Sequence, residues 1–207
     1  MRRKDAFFSH FSGLPYFTRE QLQISAEKFS IPKSTLNSYI SKGLKEAQIF
    51  SFKKNHYVTR AFFETYKTDT SYLFSLANIL VKPSYISLET ALQYYGLFAE
   101  AVHYHYTSIT TKLPRRFMTR AGNYSYRNIK EPLFSGFTTI KDSFEFTIAL
   151  PHKAVFDYLY YSTNRFTKRV HPDLLEEVRI DVAELSSQEK RRLLSLLSEF
   201  TSVKIRL

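Results

Sequence analysis

The sequence predicts an α+β fold in two parts, and three observations carry that prediction. Up to Ile49 the apolar residues recur at helical spacing, and from Ile49 to Val58 they recur at spacing two. Beyond residue 100, four segments (AVHYHYTSIT, NYSYRNIK, FSGFTTIK and SFEFTIAL) alternate or are rich in β-branched and aromatic residues, which marks strands. Between these regions the helical patterns RAFFETY and SYLFSLANIL are interrupted by polar Lys67 to Ser71. That interruption places a boundary near residues 66 to 72 and divides the chain into domains 1–66 and 67–207.

Taken in order, the first helix is expected from Arg3 to Phe11, with Phe7, Phe8 and Phe11 inward and Gly13 beyond its end. Thr18-Arg-Glu-Gln21 is a capping box, so a second helix starts there and ends near Phe29. Pro32 suits the first turn of a third helix, where its fixed φ helps and its missing N–H costs nothing. In that helix Leu36, Tyr39, Ile40 and Leu44 share a face that packs inward, and the opposite face carries Lys33, Ser34, Asn37, Ser38, Lys42 and Lys45. Phe50 and Phe52 then alternate against Ser51 and Lys53, and a Lys54-Asn55 tip returns through Tyr57 and Val58. Asn55 tolerates the left-handed backbone of a hairpin tip.

In the second part Pro83 to Ser87 is extended and leads to a helix from Leu88 to Tyr95 that Gly96 ends. After the four strands, Pro151 opens a helix from Lys153 to Tyr161. A last helix, Ser187 to Phe200, precedes a terminal strand VKIRL. The 15 Tyr and 19 Phe mostly fall on apolar periodicities, as at Tyr72, Phe74 and Leu80 or Phe156, Leu159 and Tyr160, and are expected in cores.

Lys and Arg outnumber Asp and Glu 30 to 19 for a net charge of +11, which predicts attraction to a polyanion. The excess is concentrated: residues 1–66 hold 11 basic and 5 acidic side chains, and the rest hold 19 and 14. With 0 Cys there is no disulfide and no thiolate zinc site. No apolar run approaches the roughly 18–20 residues of a membrane span. MRRKDAFFSHF, interrupted by Asp5, Ser9 and His10, reads as an amphipathic helix rather than a signal peptide. A cytoplasmic protein without membrane contact is expected.

Three helices followed by a basic hairpin make a winged helix-turn-helix, so the full expectation is an N-terminal winged helix-turn-helix followed by a mixed α+β C-terminal domain. Lys33, Ser34, Thr35, Asn37 and Ser38 lie in the half of the third helix that reaches base edges in a major groove. Asn37 is the candidate base reader, because an amide pairs with adenine through two hydrogen bonds. Ser34, Thr35, Lys42 and Lys45 suit phosphates, and Lys53, Lys54, Asn55 and His56 suit the backbone or an adjacent minor groove. The competing readings are a solvated helix face and a charged tip that blocks edge pairing.

The winged helix, Pro-Ser-Tyr-Ile-Ser-Leu-Glu-Thr-Ala-Leu-Gln-Tyr-Tyr-Gly-Leu at 83–97 and Ile-Ala-Leu-Pro-His-Lys-Ala-Val-Phe-Asp at 148–157 together resemble the AbiEi-type antitoxin and transcriptional regulator family. The resemblance spans nearly the whole chain. It implies the antitoxin of a bacterial type IV toxin–antitoxin pair: a non-catalytic repressor of its own operon, bound to an inverted repeat in double-stranded DNA. It also implies a nucleotidyltransferase-like toxin as functional partner, without an obligatory stable complex. One departure is the wing tip, Lys53-Lys54-Asn55-His56 where the family often carries Arg-Gly.

Other constellations are weaker. Residues 101–130 hold Lys112, Arg115, Arg116, Arg120, Arg127 and Lys130 and no carboxylate. This second basic patch suits flanking DNA, an RNA or an acidic partner, and Tyr124 and Tyr126 beside it suit either core or base stacking. His103 and His105 share a strand face, yet no Cys, Asp or Glu lies near enough to complete a metal site. His152 and Asp157 suit a cap and a polar contact. With no phosphate-loop or nucleophile-elbow motif and 5 Gly in all, neither catalysis nor a cofactor is expected. The alternative function is a protein-interaction or RNA-binding module that acts directly on a toxin or its RNA target.

Overall fold

The computed structural model describes residues 2–98, 104–163 and 180–199. Among these the chain is a mixed α+β protein with eight α-helices and two sheets. It packs as two compact units, Met1–Leu73 with Phe117–Ala121 and Phe74–Arg116 with Gly122–Leu207.

In the first unit, helix α1 (Arg3–Ser9) stops two residues short of the expected Phe11, which stays in the core through the turn Phe11 N–H to Phe8 C=O. Strand β1 (Phe17–Thr18) is too short to show a period and was not expected from the sequence. Helix α2 (Arg19–Lys28) begins at the capping box: the Gln21 N–H donates to Thr18 Oγ1 at 3.3 Å, and the Thr18 N–H donates to Gln21 Oε1 at 2.8 Å. Caps of this kind stabilise by about 1 kcal/mol.

Helix α3 (Lys33–Lys45) has Pro32 as its N-cap, with ψ at 150°, and not inside the first turn. Its buried face is Leu36, Ile40 and Gly43. Leu44, expected inward, is 40% exposed. At about 100° per residue Leu44 sits roughly 80° from Leu36, while Gly43 returns to within about 20° of it. The glycine lets two elements close up, since a Cβ there would stand 2.8 Å from Phe8 Cε2 and 3.3 Å from Ile49 Cγ1.

Strands β2 (Ile49–Lys53) and β3 (His56–Thr59) form the expected hairpin, with an irregularity between Ser51 and Lys53. Asn55 at the tip has φ +64°, the left-handed conformation anticipated for it. Strand β1 adds to β3, giving the antiparallel order β1-β3-β2. The core gathers Phe7, Phe8, Phe11, Phe17, Leu22 and Leu36, each side chain contributing about 1.5–3 kcal/mol on full burial. Helix α4 (Arg60–Tyr66) follows, capped by Thr59 Oγ1, and α5 (Thr70–Leu80) spans the division between the units.

The other sheet has six strands, ordered β6-β7-β5-β4-β9-β8. Its strands are β4 (Tyr85–Ile86), β5 (His105–Thr110), β6 (Arg115–Thr119), β7 (Gly122–Asn128), β8 (Phe137–Ile140) and β9 (Phe146–Ala149). Strand β6 was not expected from the sequence; its five residues alternate too little for a period to show. Helix α6 (Leu88–Tyr94) ends at Gly96, whose φ of +71° permits the closing bond from Leu97 N–H to Leu92 C=O. Helix α7 (Pro151–Ser162) starts at Pro151 and packs on α6. Helix α8 (Ser187–Ser198) packs on α7. Tyr124 and Tyr126 are 1% and 2% exposed, so they are core and not stacking platforms. The expected terminal strand VKIRL, Phe200 and His103 lie outside the described residues.

Candidate functional site

Two places concentrate polar chemistry, one in each unit. In the first, α3 presents Lys33, Ser34, Asn37, Ser38, Lys42 and Lys45 to solvent, with Thr35 half-buried. The helix carries no carboxylate, so its outer face is uniformly cationic or neutral. Lys54 at the hairpin tip is exposed, and Lys53, Asn55 and His56 are half-buried.

Two contacts tie the tip and the helix together. The Arg19 N–H donates to the Asn55 carbonyl at 3.0 Å, and Arg19 Nη2 donates to Asn37 Oδ1 at 2.5 Å. Arg19 therefore bridges the start of α2, the hairpin tip and the candidate base reader. His56 stacks on Tyr16, with ring centroids 6.0 Å apart and planes 7° from parallel. Glu20 is the acidic neighbour; its own backbone N–H, the Thr18 hydroxyl and His56 hold its carboxyl below the usual range.

Arg19 was missed in the sequence, where it served only as part of a cap. A signal was present: a cation in the first turn opposes the helix dipole, so its position calls for another reason.

The residues of the second basic patch are divided between the two units. Lys112, Arg115, Arg116, Arg120, Arg127 and Lys130 are all exposed. Arg120 lies over the Phe50 ring at 4.5 Å, within the first unit. Arg115, Arg116 and Arg127 line a cleft of about 770 Å³ in the second unit, with His105, Thr107, Ser125 and Glu89. His105 Nε2 bonds Ser125 Oγ at 2.8 Å. No group of three or more potential metal ligands occurs among the described residues.

The other concentration is buried. Lys153 is 2% exposed and Asp157 0%, and Lys153 Nζ donates to Asp157 Oδ1. Ser87 Oγ and Tyr85 OH donate to the second oxygen at 2.8 and 3.0 Å. Burial pushes the Asp157 carboxyl up, while Lys153 and the two hydroxyls pull it down less strongly. Burial and the adjacent carboxylate also push the Tyr85 phenol far up. The cluster joins the segments 83–97 and 148–157: Ile86 pairs with Ile148 in parallel register, and all four polar side chains come from these two segments. A polar contact was expected of Asp157, but its Lys153, Tyr85 and Ser87 partners were not. His152 is held by Glu189, which accepts from its backbone N–H at 3.0 Å and contacts its ring.

No protein-family model and no curated protein matches this chain significantly. No helix among the described residues is long and apolar enough to cross a membrane.

Proposed function

We propose that the first unit is a winged helix-turn-helix that binds double-stranded DNA and that the chain acts as a non-catalytic transcriptional repressor. The observation that carries this reading is the carboxylate-free outer face of α3, coupled through Arg19 to a lysine-bearing hairpin tip. The order α1-β1-α2-α3-β2-β3 with sheet order β1-β3-β2 supports this reading, in which α3 is the recognition helix in a major groove and the hairpin lies on the flanking backbone. Lys33, Lys42, Lys45, Lys53 and Lys54 then neutralise phosphates, with Ser34, Thr35 and Ser38 hydrogen-bonding beside them. Asn37 reads a base, oriented by Arg19, and Asn55 and His56 set the wing.

The resemblance to AbiEi-type regulators extends the proposal to the antitoxin of a type IV toxin–antitoxin system. It would repress its own operon from an inverted repeat, with a nucleotidyltransferase-like toxin as functional partner. The two segments that carry the resemblance meet in one buried polar cluster.

The test is a gel-shift titration on DNA from upstream of the chain's own gene. The double substitution K33A/N37A should weaken binding at least tenfold, and K53A/K54A should reduce the salt slope by about 2. Unchanged affinity in the first variant assigns α3 to an ordinary solvated face.

A further inference from the structure

The cleft in the second unit has a lining that a duplex surface does not explain. Arg115 and Arg116 on β6 and Arg127 on β7 reach it from adjacent strands, and neither Arg115 nor Arg116 pairs with a carboxylate among the described residues. Arg127 is steadied by the Tyr161 ring, 5.0 Å from its guanidinium carbon. Glu89 enters the same cleft from the first turn of α6, and its Oε2 is buried with no hydrogen-bond partner among the described residues. A buried acceptor left unpaired is destabilising, so an N–H donor from a ligand would be strongly favoured there.

Register separates the two kinds of group. Parallel pairing sets Arg127 level with Ile109, while Thr90, next to Glu89, receives the Thr107 N–H at 2.8 Å and donates its hydroxyl to the His105 carbonyl at 3.4 Å. Two to four residues along β5 separate those levels, about 7–13 Å at strand rise. The volume, about 770 Å³, is that of a small-molecule site. Three guanidiniums against one carboxylate leave a net +2, which the single charge of one phosphodiester leaves partly unbalanced and the several charges of a di- or triphosphate fully offset.

We propose that this cleft binds a free nucleoside di- or triphosphate. Arg115, Arg116 and Arg127 hold the phosphates, Glu89 accepts from N–H groups of the base, and the bonded His105–Ser125 pair faces the sugar. The site is independent of the DNA-binding reading.

Isothermal titration of the full chain tests it, with ATP, GTP, CTP, UTP, sodium tripolyphosphate and a twelve-nucleotide single-stranded RNA as probes. One or more of the triphosphates should bind saturably at one site per chain. R115Q/R116Q, both exposed positions, should weaken that binding at least tenfold, and E89Q should change the preference among bases. K33A/N37A should leave it unchanged, which separates this site from the α3 surface. The proposal is overturned if no triphosphate saturates, if R115Q/R116Q has no effect, or if tripolyphosphate binds as tightly as every nucleoside triphosphate. RNA binding that needs the same arginines while free nucleotides fail to bind also overturns it.

Discussion

Helices α3 and α7 both start at a proline and both carry a lysine four residues before an Asn or Asp: Lys33 with Asn37, and Lys153 with Asp157. The first pair is exposed and the second is 2% and 0% exposed. Spacing is the same, so spacing does not decide burial. The difference is one functional group. A carboxylate neutralises an ammonium at i+4 and lets both leave water, whereas an amide cannot, and its lysine stays solvated. Each environment follows: two hydroxyls complete the Asp157 shell, while Asn37 receives only the Arg19 guanidinium.

The largest effect comes from breaking the α7 pair. Lys153→Met leaves the Asp157 carboxylate buried without a counter-charge and should destabilise the second unit by about 3–5 kcal/mol at neutral pH, the range for breaking a buried pair. Chemical denaturation and loss of amide protection along β4 and β9 would report it. The apolar double K153M/D157L should cost less than either single loss, because it leaves no orphan charge. A double variant as unstable as K153M would mean that the cluster's packing, and not its charge balance, holds the two segments together.

Giving α3 the chemistry of α7 sharpens the comparison at the surface. Asn37→Asp places a carboxylate on the face proposed to meet phosphates and converts the Arg19 contact into an ion pair. Operator affinity should fall about 10- to 100-fold, as for the loss of a bidentate base contact. Stability should stay within about 0.5 kcal/mol, as is usual for surface changes. Tighter or equal binding would exclude Asn37 from the interface.

Much of the first unit was legible in sequence because its signals are local. The Thr18 to Gln21 box, the period change at Ile49 and the Asn55 tip each rest on residues within a few positions of one another. What was hidden is pairing across distance: Arg19 with Asn37, and Tyr85 and Ser87 with Asp157, which are 72 and 70 residues apart. Leu44 misled because a hydrophobic residue at i+4 continues the stripe by count, although Gly43 lies closer to its centre. Nor does sequence show that Arg120 packs on Phe50 while Arg115, Arg116 and Arg127 line a cleft.

Gly43 is the inward counterpart of that outer face. Glycine to alanine inside a helix ordinarily gains about 1 kcal/mol of propensity. Here the new Cβ would meet the Phe8 ring at 2.8 Å, and that ring is itself packed against Phe7 at 5.6 Å between centroids. Overpacking costs about 1–3 kcal/mol, so Gly43→Ala should be net destabilising despite its propensity. A rise in melting temperature would show that α1 can shift away from α3.

Acid should act on the two units with opposite sign, which is the smallest and most discriminating test. In the first unit the Gln48 amide holds the Asp5 carboxyl below the usual range, and Lys4 does the same for Glu46. Lowered folded-state values mean that their stabilisation is present above the ordinary carboxylate pKa and is lost as pH falls through the lowered ones. Asp157 is shifted upward by burial, so its term is most favourable below the ordinary value and declines as pH rises through the raised one. Hydrogen exchange followed from neutral to mildly acidic pH should therefore show protection in α1 and α3 falling relative to that in β4 and β9. Glu46→Gln should flatten the first response and leave the second unchanged. Parallel loss in both units would mean that Lys153 dominates the buried pair and holds Asp157 ionised through the same range.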